Sequence, residues 1–214
     1  MTISNTNELE CKYYHWGPFL FRTKITPDEC QMLLKEGKKC RKKSNDHRHQ
    51  LAGHLSEEYK LTDAKGITLW LKKYVSAYAE SYAKWRGGNY KLTNLRMDVF
   101  WINYMKSNDF NPPHNHSGDL SFVIYPKMPE EIIEENKKYK GTSVGPGGIS
   151  WFYGHADKQY ISTVREVPET GDIYIFPASL NHWVFPFRSK VERVSVSGNI
   201  SFDAEDLVSF RPHV

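Results

Sequence analysis

Two periods of apolar residues divide the chain. Between Thr62 and Trp85, Ile67, Leu71, Val75, Tyr78, Tyr82 and Trp85 recur three or four residues apart, while Lys72, Lys73 and Lys84 fall off that stripe. This spacing predicts a helix with one buried face, and Gly87-Gly88 supplies its stop. From about Arg96 the period drops to two. Arg96 to Met105, Leu120 to Tyr125, Ile149 to Tyr153, Ile161 to Val167, Asp172 to Phe176, His182 to Phe187 and Glu192 to Ser201 read as short strands separated by Pro, Gly and Asn turns. Strands in that succession, without helices between them, predict a sandwich or barrel rather than a βαβ sheet. The exception is Pro129 to Tyr139, a charged helical insertion placed to overhang a site as a lid.

Nearer the start, Tyr13 to Thr23 reads as a strand interrupted by Gly17-Pro18, with Phe19 to Phe21 turned to the core. Thr26-Pro27-Asp28-Glu29 has the form of a capping box with proline at the first helical position. It predicts a helix from Pro27 to Glu36, ended by Gly37, and then an exposed basic connection over Lys38 to Gln50. The expected fold class is α+β, mainly β. Residues 1–95 form a helical elaboration packed on a core of residues 96–214, within a single structural domain.

Composition narrows the class of function. Hydrophobic content of 39% with 14% aromatic residues excludes a disordered chain. The net charge of +4 is concentrated between Lys38 and Arg48 rather than spread along a face, which argues against nucleic acid as a partner. Cys11, Cys30 and Cys40 are odd in number and lack C-x-x-C spacing, so neither a disulfide framework nor a cysteine zinc site is expected. A reducing, cytoplasmic location is expected on this ground. The N-terminus shows no export signal, and nowhere do eighteen apolar residues run together, so no membrane partner is expected.

The candidate chemistry lies in two distant stretches. Asn108 to Tyr125 reads N-D-F-N-P-P-H-N-H-S-G-D-L-S-F-V-I-Y, a proline-bounded loop with His114, His116 and Asp119 feeding an apolar strand. In an extended segment His114 and His116 point the same way and can chelate one metal. Downstream, His182 opens a strand. Beyond it Arg193, Ser195, Ser197 and Asn199 alternate with Val194, Val196 and Ile200. If these two strands pair as a hairpin, His182 faces Ser197 and Pro186 faces Arg193, so that Arg193 lies about 13 Å along the sheet from His182. A dicarboxylate chelating a metal at one end and meeting the arginine fork at the other suits that gap, with Ser195 adding a hydrogen bond.

The H-x-H after a proline-bounded loop, the F-P-x-x-L-x-H of Phe176 to His182 and the R-V-S eleven residues later resemble the 2-oxoglutarate and iron(II)-dependent oxygenases, in the prolyl-hydroxylase-like branch found in bacteria and phages. The resemblance covers about Arg96 to Ser201. It implies a double-stranded β-helix, or jelly roll, with helices on one sheet, and it implies Fe(II), 2-oxoglutarate and molecular oxygen. By the resemblance His182 is the distal iron ligand, and Arg193 with Ser195 bind the far carboxylate of 2-oxoglutarate. Tyr104 and Tyr125 stand at strand positions similar to co-substrate-lining tyrosines, with Asn103 and Trp101 behind them. The family's usual H-x-D or H-x-E is not met. Either His116 replaces the carboxylate beside His114, or His116 and Asp119 are the ligands.

The implied function is oxidative decarboxylation of 2-oxoglutarate coupled to hydroxylation of a C–H bond in a small-molecule or peptidyl substrate. A second copy of the chain is an admissible partner. Two other classes compete: a metal-dependent hydrolase built on H-x-H, and a jelly-roll binding module without redox chemistry. His15, His47, His49, His54, His155 and His213 carry no assignment, and His155 with Asp157 falls in a loop expected to rim the barrel mouth.

Overall fold

The computed structural model describes residues 2–6, 9–13, 17–50, 52–62, 64–86, 91–155 and 161–205. His15, Gly87-Gly88, Asp157 and His213 lie outside the described residues. In chain order the elements are β1 (Thr2–Thr6), β2 (Leu9–Tyr13), β3 (Phe21–Lys24), α1 (Pro27–Cys40), β4 (Glu57–Lys60), α2 (Ala64–Arg86), β5 (Lys91–Met105), β6 (Asn111–His114), β7 (Leu120–Lys127), α3 (Glu130–Lys137), β8 (Ile149–Phe152), β9 (Thr163–Glu166), β10 (Asp172–Pro177), β11 (Asn181–Val184) and β12 (Arg193–Glu205).

Strands β1 and β2 form a separate hairpin. The others build two antiparallel sheets, a six-stranded one in the order β3-β10-β7-β12-β5-β4 and a four-stranded one in the order β6-β11-β8-β9. This is a mainly β jelly roll with helices against one sheet, the architecture expected from the alternating strands. The stretch before residue 95 supplies more than helices, because β3 and β4 are the two edges of the larger sheet. Strand β6, of sequence N-P-P-H, lies at an edge of the smaller sheet. Its two prolines lack ladder donors, and an edge strand tolerates them.

The expected hairpin between the His182 and Arg193 strands does not form. Strand β11 pairs with β6 and β8, whereas β12 pairs with β5 and β7. The connection after Val184 therefore crosses from one sheet to the other. His182 and Arg193 share an interior by facing across it, not by lying along one ladder.

Helix α1 carries the expected capping box, with Glu29 N–H donating to Thr26 and Thr26 N–H donating to the Glu29 carboxylate. It does not stop at Gly37 but runs to Cys40. A Cβ at Gly37 would stand 2.2 Å from Ile102 Cδ1 and 2.7 Å from Tyr104 Oη, so this glycine lets the helix press onto the sheet instead of ending it. One apolar core lies between α1, α2 and the larger sheet, with Leu33, Leu71, Ile102 and Val196 fully buried. A second lies between the sheets, around Tyr125, Trp151, Tyr174 and Phe176. Among the described residues no helix is long and apolar enough to cross a membrane.

A candidate metal centre with a buried arginine

The interior between the sheets is read by strand parity. On β5 the residues Trp101 and Asn103 line a cavity shared with Tyr125 of β7, Phe176 of β10, and Arg193, Ser195 and Ser197 of β12. From the smaller sheet Asn111, His114, Ile149, His182 and Val184 complete the wall, with His116 just beyond β6. The residues between them, such as Ile102 and Val196, belong to the helix-side core.

His114, His116 and His182 converge, with one ligand atom from each all within 4.8 Å of one another. Their ring centroids stand 4.9 Å, 4.3 Å and 5.1 Å apart for the pairs 114–116, 114–182 and 116–182. His114 and His182 are paired Cα to Cα across β6 and β11. Each also donates Nδ1–H to the carbonyl two residues behind it, Pro112 at 2.7 Å and Leu180 at 3.0 Å. That bond fixes the tautomer and leaves Nε2 as the lone-pair atom, the second-shell arrangement by which proteins orient imidazole ligands. Desolvation holds all three below the ordinary histidine range, His116 at about 4 and His182 at about 3. Near neutral pH the cluster is three neutral imidazoles, the form that binds metal.

Asp119 does not join them. Its carboxylate accepts from Phe202 N–H at 3.0 Å, and its backbone is tied to Ile200 and Ala178 at the start of β7. Among the described residues no carboxylate stands with the three histidines as a further ligand. Tyr104 is also elsewhere. It sits one residue out of phase with the cavity, on the helix side of β5, under the Arg41 guanidinium at 4.1 Å. A position counted back from His114 carries no parity, and parity on β5 selects Asn103 and Met105 instead.

At the other end of the cavity Arg193 is 2% exposed. Its Nη1 donates to Gly147 O at 2.8 Å, its Nη2 meets Met105 Sδ, its plane lies 5.4 Å from the Tyr125 ring centroid, and its Nε has no partner. No carboxylate answers this charge among the described residues, and desolvation lowers its pKa. Ser195 accepts from Asn103 Nδ2 at 3.3 Å, leaving its own proton for a ligand, and the Tyr125 hydroxyl is buried without a partner. Burial, opposed by Arg193, pushes the Tyr125 phenol up to about 12, so it stays a donor. A guanidinium without a counter-charge, a serine and a tyrosine hydroxyl are donors of the kind that hold an anion. Sequence reasoning missed Met105, Asn111 and the Gly147 carbonyl. The first was within reach of parity on β5, while the other two come from segments without a pattern.

Helix α3 packs at this arginine end and not over the histidines. Ile132 is fully buried, and its Cγ2 lies 2.3 Å from where a Cβ on Gly147 would stand. The Glu135 carboxylate fastens the crossing loop by accepting from Arg188 N–H and from Ser189.

Fold and site together define a jelly-roll protein with three converging imidazoles and a buried, uncompensated arginine lining one cavity. Residues 99–199 match a family model described as 2OG-Fe(II) oxygenase. Over that stretch, just under half of the chain, the sequence is similar to the 2-oxoglutarate and iron(II)-dependent oxygenases. Comparison with curated proteins gives no match. Among solved structures, a Pseudomonas putida prolyl-4-hydroxylase is similar in fold at 12% identity, with TM-score 0.51 over 85% of this chain and 91% of that one. The carbocyclase SnoK from nogalamycin biosynthesis matches at 12% identity and TM-score 0.57, over 86% and 79% of the two chains. The epimerase SnoN from the same biosynthesis matches at 13% identity and TM-score 0.55, over 86% and 78%. The superfamily implies Fe(II), 2-oxoglutarate and dioxygen, and the donor set fits iron. Imidazole suits iron among other first-row metals. Three neutral ligands leave the metal's two positive charges for a dianionic co-substrate to balance.

Proposed function

We propose that the protein is an oxygenase that oxidises a C–H bond of a small-molecule or peptidyl substrate, with 2-oxoglutarate as co-substrate. The observation that carries this reading is the buried, uncompensated Arg193 in one cavity with the three-histidine cluster. His114, His116 and His182 would hold iron(II) through Nε2, while Arg193, Ser195 and Tyr125 would hold the far carboxylate of 2-oxoglutarate. When bound, iron couples decarboxylation of 2-oxoglutarate by dioxygen to insertion of an oxygen atom into a C–H bond.

The chain's own contribution is positional. Two imidazoles are oriented by carbonyls, the anion is drawn by a charge that has no other partner, and a wall of Trp101, Ile149, Phe176 and Val184 keeps water out.

The test is stoichiometric. Purified protein reconstituted with Fe(II) should convert 2-oxoglutarate to succinate with matching dioxygen uptake, and Arg193→Met should lower the affinity for 2-oxoglutarate without releasing iron. Hydrolytic activity with zinc and no succinate would support the metal-dependent hydrolase instead.

A further inference from the structure

Among the described residues no strand pairing closes the barrel across the cleft between β3, an edge of the larger sheet, and β9, an edge of the smaller one. At one end of that cleft Arg22 of β3 bridges to Glu166 of β9 at 2.9 Å and to Asp172 at 2.9 Å. Above the bridge the lips separate around a cavity of about 670 Å³. Pairing places it at the histidine end of the barrel. Phe21 of β3 stands opposite Ile175, near the end of β10, and Phe152 of β8 opposite Asn181, the residue before His182.

Among the described residues this cleft gathers most of the large exposed apolar side chains. Trp85, Tyr153, Ile161 and Val164 border it, four of the seven large apolar side chains exposed among the described residues. Phe19 lies 5.4 Å, ring to ring, from Trp85. At the floor are Trp151 and Tyr174, 2% and 0% exposed, and neither Trp151 Nε1 nor Tyr174 Oη has a hydrogen-bond partner. A buried donor left unpaired costs about 1–3 kcal/mol, so two at one floor point to a ligand that accepts from them. Among the described residues Arg22 and Glu166 are the charged side chains lining the cleft, and neither stands unpaired, since Arg22 bridges to both Glu166 and Asp172. The occupant is therefore uncharged. The floor is one layer of side chains from the metal ligands, with Trp151 to Phe176 at 5.7 Å and Phe176 to His182 at 5.0 Å between ring centroids.

We infer that this cleft seats an uncharged aromatic group of the primary substrate, with a carbonyl or ether oxygen directed at Trp151 and Tyr174, one layer of side chains from the histidine cluster. The inference rests on the oxygenase reading for its chemistry, but the cleft is testable without turnover. Coumarin supplies the rings and an acceptor, naphthalene the rings alone, and coumarin-3-carboxylate adds a charge. Titrated against the full chain by ligand-observed NMR, coumarin should bind more tightly than naphthalene by about fivefold and than the carboxylate by about tenfold.

Trp85→Ala and Ile161→Asp change exposed side chains and should each weaken coumarin by about fivefold while leaving Mn(II)-dependent binding of 2-oxoglutarate unchanged. Trp151→Phe should bring coumarin down to the affinity of naphthalene and leave naphthalene unaltered. Mn(II) added to the protein should speed relaxation of bound coumarin protons, and His182→Ala should abolish that effect. Equal binding of all three probes, indifference to Trp85→Ala and Ile161→Asp, or no effect of Mn(II) would overturn the assignment. Loss of 2-oxoglutarate binding with the coumarin results intact would instead overturn the oxygenase reading and leave a neutral aromatic site beside a metal.

Discussion

On the helix side of the six-stranded sheet Phe100, Ile102, Val194, Val196 and Ile200 are at most 2% exposed and pack against α1 and α2. On the inner side of the same two strands stand Asn103, Arg193, Ser195 and Ser197, with Asn103 Oδ1 and Arg193 Nε unpartnered. The helix side also settles Glu29, a partly buried acid. Burial works against ionising Glu29, yet Lys73, Tyr74, Thr26 N–H and Trp70 all donate to it and bring it down to about 2. The outer face is built to be stable, and the inner face holds polar groups whose partners are not in the chain. Stability and binding are thus separated by strand parity, and substitutions on the two faces should separate as well.

The largest effect is expected at the metal cluster. His182→Ala removes the best-buried ligand and should lower iron affinity by more than about 100-fold, abolishing succinate formation while far-UV dichroism stays unchanged. Metal analysis after dialysis checks it. Iron retained at full occupancy would mean that the three imidazoles are not the site.

Next comes the outer face. Leu71 of α2 is fully buried against the sheet, and Leu71→Ala should cost about 2–5 kcal/mol in urea unfolding. The affinity for 2-oxoglutarate should not move. Arg193→Met is its mirror image. Replacing an uncompensated buried cation by an apolar chain of similar length should stabilise the protein by about 1–4 kcal/mol and weaken 2-oxoglutarate by on the order of 100-fold. If Arg193→Met destabilised the fold and spared co-substrate binding, the division between the faces would fail.

Much of this division was legible in the sequence, because parity is a sequence property. The run Arg193, Ser195, Ser197, Asn199 against Val194, Val196, Ile200 already separated a polar from an apolar face, and β12 carries it. What parity cannot give is which strand faces which. His182 and Arg193 would lie along one ladder if their strands paired as a hairpin, but Phe185 to Glu192 spans between two sheets. Tyr104 was misplaced for want of the same parity, applied one strand earlier. Gly37 looked like a helix stop because a glycine in a helix usually weakens it, and only the nearness of Ile102 shows why it is there. Strand β4 gave no signal, since E-E-Y-K alternates nothing.

That missed strand carries the smallest of these effects. Glu58 of β4 stands opposite Asn103 and is 2% exposed, so it lies on the inner face beside the cavity that Asn103 lines. Glu58 Oε2 and Asn103 Oδ1 are both acceptors without a donor. A proton on Glu58 supplies one. Burial, with a contribution from Asp46 and opposed by Arg48, pushes its carboxyl up to about 8. Between the ordinary carboxylate range and about pH 8 the folded chain therefore holds a proton that the unfolded chain has released. Stability should fall as pH rises through that window. Glu58→Gln keeps the shape, supplies an N–H and cannot ionise, so its stability should be flat over the same window and should exceed that of the parent at pH 8.5. Urea unfolding of both proteins at pH 5.5 and 8.5 decides it, since parallel slopes would mean that Glu58 is ionised in the fold and that the inner face has found it a partner after all.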